Sequence, residues 1–447
     1  MQPSSSGSYG SEKSAWFGVA VLMFLSVVAI LDRQILNLLV DPIRAELALT
    51  DIQIGVLQGP AFMVFYTLFG FPLGWMVDQT HRLRLLAAGI ALWTAGTIAC
   101  GLADSYEALI VARAVVGMGE AVASPASISL IADYFRPERR AVATSVYGTA
   151  AMFGTGLALV GGGLLLSLSE IIGPIQIAGL PTIEGWRFAF VACGLPGILG
   201  ALLALSAREP ARRIETYALD GKAGLASFLY SARKWILSHF SAVCLVAIMS
   251  FAFMNWLPSY LIRGYGWQPA NVGLLTGIQF LLLGPLGILA GGFIVRRMQQ
   301  KGVSDAVARV LRLGAILIAL SLASMAAPWS SDTVLLPLSL AVLFVSMLPT
   351  ISLLAIQQAT PGELRGRMAA IYFITTNLVG YSLGPIITAA LNERLFTQGG
   401  QLGYSLGLVG IVLGPLAALL FSLSLTHFRK IVAPNSDEGL HRRPTSE

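Results

Sequence analysis

Asp32 and Arg33 stand together inside one long apolar run, and Arg113 and Glu120 stand seven residues apart inside another. At bilayer depth an ionisable side chain costs about 2.5–3.5 kcal/mol on insertion scales, so each of the four needs a reason to be there. Arginine offers a planar fork of donors that suits a carboxylate or a phosphate. A carboxyl group among arginines can exchange a proton, because burial and a neighbouring guanidinium pull its proton affinity in opposite directions. The quartet can therefore hold an anion and move a proton. The plainer alternative is a structural cluster of ion pairs that pins two helices together, and residue type alone leaves both open.

Spacing gives each group a depth. The first run ends near residue 40, which puts Arg33 about 10 Å below its far end at about 1.5 Å per residue. The fourth run enters from that same side near residue 107, so Arg113 is also about 10 Å deep. Asp32, Arg33 and Arg113 thus share a level. Glu120, two turns beyond Arg113 on the same helical face, is expected about 10 Å deeper, near the bilayer centre. On this reckoning Glu120 is the better proton carrier, being further from the arginines, and Asp32 is either a second coupling acid or simply the partner of Arg33.

Such groups need elements to hold them, and the composition says which. Of 447 residues, 55% are hydrophobic and 12% charged, with a mean hydropathy of +0.74. A soluble chain carries about twice that charge density, so a bilayer is the solvent that fits. The net charge of +6 does not indicate nucleic acid, because the basic residues lie in short clusters between apolar runs. Cys100, Cys193 and Cys244 all lie inside apolar segments, with neither a disulfide framework nor metal-ligand spacing. The polar start MQPSSSGSYGSEKS has no cleavage-type signal, so the first run is expected to be retained. The four histidines (His81, His239, His427, His441) lie near span ends or in tails, which argues against a metal site and against an enzyme. No G-x-x-x-x-G-K-[ST] loop is present, so ATP is not the expected energy source.

Twelve apolar runs of about 20 residues or more each can cross a core about 30 Å thick. Of the 29 Lys and Arg, 23 fall on the side of the two termini and 4 (Arg44, Arg187, Arg263, Arg394) on the other, with Arg33 and Arg113 inside spans. That asymmetry predicts cytoplasmic termini. The reading is an all-α membrane protein: an N-tail (1–14), a six-helix bundle (15–206), a cytoplasmic linker (207–235), a second six-helix bundle (236–428) and a C-tail (429–447). Weak internal similarity supports two halves, since Glu138, Arg140 and Tyr147 correspond to Glu363, Arg365 and Tyr372 at a constant offset of 225. The second half has no mid-span charge to match the quartet. It offers Asn255, Gln279, Gln357, Gln358 and Asn377 among many apolar and aromatic residues, such as Phe251, Phe253, Trp256, Phe280, Tyr372, Phe373 and Tyr381. A pathway charged on one wall and apolar on the other suits an amphiphile.

Two motifs carry a family resemblance. Gly74-Trp-Met-Val-Asp78-Gln-Thr-His-Arg82-Leu-Arg84 resembles the signature loop of the major facilitator superfamily, and Arg113-Ala-Val-Val-Gly117-Met-Gly119 resembles its second motif. Within the superfamily, LDR from Leu31, GVLQGPAFMVFY from Gly55, RAVVGMGEAVASPASISLIADYF from Arg113, GWRFAF and the REP at Arg208 look like the spinster family. The resemblance covers essentially the whole chain. It implies two pseudo-symmetric six-helix bundles, and transport of lysophospholipids or sphingosine-1-phosphate-like lipids with proton coupling. Carried over by motif, Arg33, Arg113 and Glu120 would bind substrate, while Asp32 and Glu120 would couple protons. Gly74, Asp78, Arg82 and Asp133 would form a cytoplasmic gate, with Arg82 pairing to Asp133 and Asp78 facing the N-terminus of the eleventh span. Gln79 and His81 depart from the usual loop, which puts the strength of such a gate in doubt. The expected partners are membrane lipids and an amphiphilic anion, with no nucleic acid, no cofactor beyond the coupling proton and a monomeric chain. The expected location is a bacterial inner (cell) membrane. A sugar-acid carrier using the same arginines and a proton-linked drug exporter are the alternatives.

Overall fold

In a bilayer every backbone N–H and C=O must find its partner within the protein, so long apolar runs become helices unless they close into a barrel. The chain, described as a computed structural model over residues 11–212, 224–396 and 401–432, takes the helical solution. Its long helices are α1 (Glu12–Glu46), α2 (Asp51–Gln79), α3 (Arg82–Leu102), α4 (Tyr106–Tyr134), α5 (Pro137–Ile172), α6 (Gly185–Ser206), α7 (Arg233–Tyr265), α8 (Pro269–Gln300), α9 (Ala306–Ser324), α10 (Leu335–Ala359), α11 (Gly362–Leu395) and α12 (Leu402–Val432). All twelve are long and apolar enough to cross a membrane. This is the expected all-α fold class. Among the described residues the nearest thing to a strand is a single antiparallel bridge between Ile175 and Ile183, in the loop after α5. The N-tail, most of the linker and most of the C-tail lie outside the described residues.

The chain divides into two compact units. The first holds Met1–Tyr217 with Leu257–Leu281, and the second holds Ala218–Trp256 with Leu282–Glu447. In the first, α1 packs on α5, α3 on both α4 and α6, and α2 on α4. The end of α7 belongs here too: Arg263 donates to Asp41 at 2.6 Å and to Asp51 at 2.8 Å, joining the end of α1 to the start of α2. In the second unit α9 packs on α12 and α10.

Three local features of the first unit shape α2 and its approach to α4. Thr50 and Gln53 form a reciprocal capping box that starts α2. Gly59 and Pro60 then interrupt that helix, with the N–H groups of Phe62 and Met63 both turning back to Gly59 O. A Cβ at Gly117 would collide with Phe62 O, and one at Gly119 would come within 2.6 Å of Gly89 O. These two positions must be glycine for α4 to lie this close to α2 and α3.

Candidate functional site

The quartet assembles in the first unit, on α1 and α4. Asp32 is 1% exposed, Arg113 1% and Glu120 0%. Arg33 keeps 28% of its side chain exposed and donates from Nε to Glu120 Oε2 at 2.5 Å. This corrects the depth estimate that set Glu120 apart from the arginines. That estimate treated side chains as points on straight rods, whereas the long arm of Arg33 reaches across to α4. Asp32 is not the partner of Arg33. Both of its carboxylate oxygens are buried without a hydrogen bond among the described residues. The hydroxyl bearing on it belongs to Thr97 of α3, and that hydroxyl donates to Trp93 O at 3.0 Å.

Arg113 is held differently. The break at Gly59–Pro60 leaves Leu57 O without its usual helical donor, and Arg113 Nε takes it at 3.3 Å. Its Nη2 is buried with no hydrogen-bond partner among the described residues. One ring serves both cations: the guanidinium carbons of Arg33 and Arg113 lie 4.9 and 5.1 Å from the centroid of Phe62. Tyr66, stacked on Phe62 at 5.6 Å, lies 5.0 Å from Arg33. Phe62 and Tyr66 fall one turn apart in the GVLQGPAFMVFY segment. Their spacing beside a helix-breaking Gly-Pro is the signal that could have found them, although residue type alone assigns neither aromatic a role.

A second ionic cluster lies where α3 starts and α4 ends. Arg82, 1% exposed, is paired with Asp133 as its motif implied. It also donates from Nε to Glu209 at 2.7 Å, from Nη1 to Ser129 Oγ at 3.0 Å and from Nη2 to Pro210 O at 2.9 Å. Glu209, the acid of the REP segment, further accepts from the backbone N–H of Arg82 and of Leu83 and so caps α3. Arg212 donates to the backbone carbonyls of Val77, Asp78 and Thr80. The Asp78 residue is exposed, and Gly74 has open space where a side chain would stand. All of these partners of Arg82 belong to the first unit, which is therefore tied together at this end by its own residues.

Among the second-half candidates, Phe253 and Trp256 are fully buried, and Tyr372 and Tyr381 nearly so, while Phe373 is 49% exposed. Trp256 donates to Pro385 O at 3.0 Å, and Asn377 donates to Phe373 O inside a π-helical turn over Asn377–Tyr381. Asn255 is buried, Gln279, Gln358 and Asn377 are half-buried, and Gln357 is exposed.

The sequence profile of the Major Facilitator Superfamily matches residues 22–385. Three characterised relatives are informative. An MFS-type efflux pump of Mycolicibacterium smegmatis is 26% identical over 94% of this chain and 94% of its own. Protein spinster of Drosophila melanogaster is 27% identical over 65% of this chain and 47% of its own length. A hexuronate transporter of Bacillus subtilis is 25% identical over 90% of this chain and 94% of its own. In fold, the chain matches the inward-facing, unoccupied structure of a bacterial homologue of the human lysosomal transporter spinster. The TM-score is 0.79 at 22% identity, covering 94% of this chain and 99% of that one.

Proposed function

The chain belongs to the major facilitator superfamily, and from that premise we propose that it is a secondary transporter of an amphiphilic anion. The substrate class is a lysophospholipid or a similar lipid phosphate, moved by alternating access with protons as the coupling ion. The observation that carries this reading is Arg113: a buried guanidinium whose Nη2 has no hydrogen-bond partner among the described residues, beside a second arginine and against an aromatic ring. A buried donor left unpaired costs about 1–3 kcal/mol, more when charged, and an anionic headgroup would recover that cost. The mid-span stretches of the second half carry no acid or base, which suits an acyl tail. The working location is a bacterial inner membrane with both termini cytoplasmic, and the working state is a monomer.

Arg33 supplies the coupling. With Glu120 ionised, Arg33 is held in its salt bridge. A proton on Glu120 releases the guanidinium, which then shares the headgroup with Arg113. Asp32, whose two oxygens accept no hydrogen bond among the described residues, relays a proton to Glu120 across the α1–α4 layer. Substrate and proton therefore bind together.

The test is binding of a lysophospholipid with a phosphodiester headgroup, and of a sugar acid, to purified protein in micelles of uncharged detergent. Arg113→Ala should weaken lysolipid binding by about 2–5 kcal/mol. Wild-type affinity should rise as pH falls through the Glu120 titration, and Glu120→Gln should bind with no such dependence. Undiminished binding by Arg113→Ala removes the anion anchor, and a pH response retained in Glu120→Gln removes Glu120 as the coupling acid. The resemblance to a hexuronate transporter favours one second reading, a sugar-acid carrier on the same arginines. Binding of the sugar acid alone would select it. A drug exporter, the reading that the efflux-pump relative suggests, would tolerate loss of either arginine.

A further inference from the structure

The second unit carries a basic pocket that the transport cycle does not use. It lies where α7 begins and α12 ends, on the side of the chain that holds the excess of Lys and Arg. A short helix, Leu225–Ser231, precedes α7 there. The pocket has a volume of about 240 Å³, and its walls include Tyr230, Arg233, Lys234, Trp235 and His427. Arg233 stands over the Tyr230 ring at 4.2 Å, which holds its guanidinium at the rim. Arg233 and Lys234 are both exposed, and neither has a carboxylate partner among the described residues. The residues lining the pocket include no acid.

The back wall is unusual. Trp235 is 1% exposed, yet its indole N–H is buried without an acceptor among the described residues. It stacks on the buried His239 at 5.2 Å, and that ring's Nε2 is also without a partner among them. A large aromatic fixed at this depth, with a tyrosine beside it, marks the boundary between hydrocarbon and headgroups. One turn further into the membrane from Arg233 is Leu237, 67% exposed, and one turn membrane-ward of His427 is Leu423, 47% exposed. The surface thus reads from basic rim to open leucines in the order of a phospholipid, headgroup first and acyl chains below.

We propose that this pocket binds the phosphodiester headgroup of an anionic membrane phospholipid, with Arg233 and Lys234 as its charge partners and Leu237 and Leu423 against its acyl chains. The site is separate from the Arg113 layer and does not depend on what is transported. The test uses the full chain in nanodiscs that mix phosphatidylglycerol with phosphatidylcholine, and native mass spectrometry to read which lipid is retained. Each basic residue near the surface should favour the anionic lipid about fivefold, so Arg233→Gln with Lys234→Gln should lose roughly 25-fold of that preference. Arg84→Gln with Arg312→Gln removes the same charge elsewhere and should keep the preference. Unchanged thermal unfolding in phosphatidylcholine alone shows that a variant is folded. Phosphatidylglycerol retained equally by the Arg233/Lys234 variant, or lost equally by the control pair, overturns the proposal. So does displacement of the lipid by inorganic phosphate, which would make the ligand a soluble anion.

Discussion

Arg82 and Arg113 are equally buried arginines in the same unit of the same protein, each 1% exposed, and they live opposite lives. Arg82 meets two carboxylates, a serine and a backbone carbonyl, and each of its three nitrogens has a partner. Arg113 has one carbonyl at 3.3 Å and an aromatic ring, and its Nη2 has no hydrogen-bond partner among the described residues. Burial alone therefore says little about what a charged residue is for. Arg82 is saturated with partners, and on the proposed function Arg113, held in place but short of an anion, is the one poised to take one.

The comparison can be broken at several points. Arg82→Ala takes from Asp133 and Glu209 the buried cation that both contact, and removing one partner from a buried pair costs about 3–5 kcal/mol. Thermal unfolding in detergent should fall sharply, while Arg113→Ala should leave it nearly unchanged. Equal losses in the two variants would make Arg113 a structural residue and end the contrast. Gly117→Ala should cost about 1–3 kcal/mol by pushing α4 off α2 at Phe62. It should also weaken anion binding, because the ring shared by the two arginines moves with that contact. Loss of stability with binding intact would detach Phe62 from the site.

The smallest effect belongs to an intermediate case in the second unit. Burial alone would raise the carboxyl pKa of Asp305, but hydrogen bonds from Arg429 and Arg309 outweigh it and hold the carboxyl below its usual range. A depressed folded-state pKa adds stability above the unfolded value of about 3.9, which is lost as pH falls through the folded value. The two arginines are about half exposed, so the pair is worth less than about 1 kcal/mol. Asp305→Asn should destabilise by that much at neutral pH and by nothing in strong acid. A pH-independent loss would locate the effect in packing instead.

Much of this was legible in the chain and some was not. Helix number followed from run length, and the quartet followed from four charges in apolar surroundings. The pairing of Arg82 with Asp133 followed from a motif. The contact of Arg33 with Glu120 did not, because residue spacing measures rise along one helix and not the reach of an arm between two. Glu209 was visible only as part of REP, since its partner lies 127 residues away. Leu57 O could not be foreseen as a ligand of Arg113, because a free carbonyl depends on where a helix breaks. Trp235 is not singled out by the sequence and His239 stands there only as a histidine near a span end, because an unpartnered ring nitrogen is a property of packing.

The shared ring of Phe62 has one more consequence. It keeps two guanidiniums at a common address whose two acids, Asp32 and Glu120, can cancel them. With both acids ionised the layer sums to zero, and each proton taken up adds one positive charge. A singly charged headgroup arriving with one proton restores neutrality. On the proposed cycle the loaded and empty layers then present the same net charge to the membrane voltage. The chemical gradients, and not the electrical one, would set the direction in which such a carrier runs.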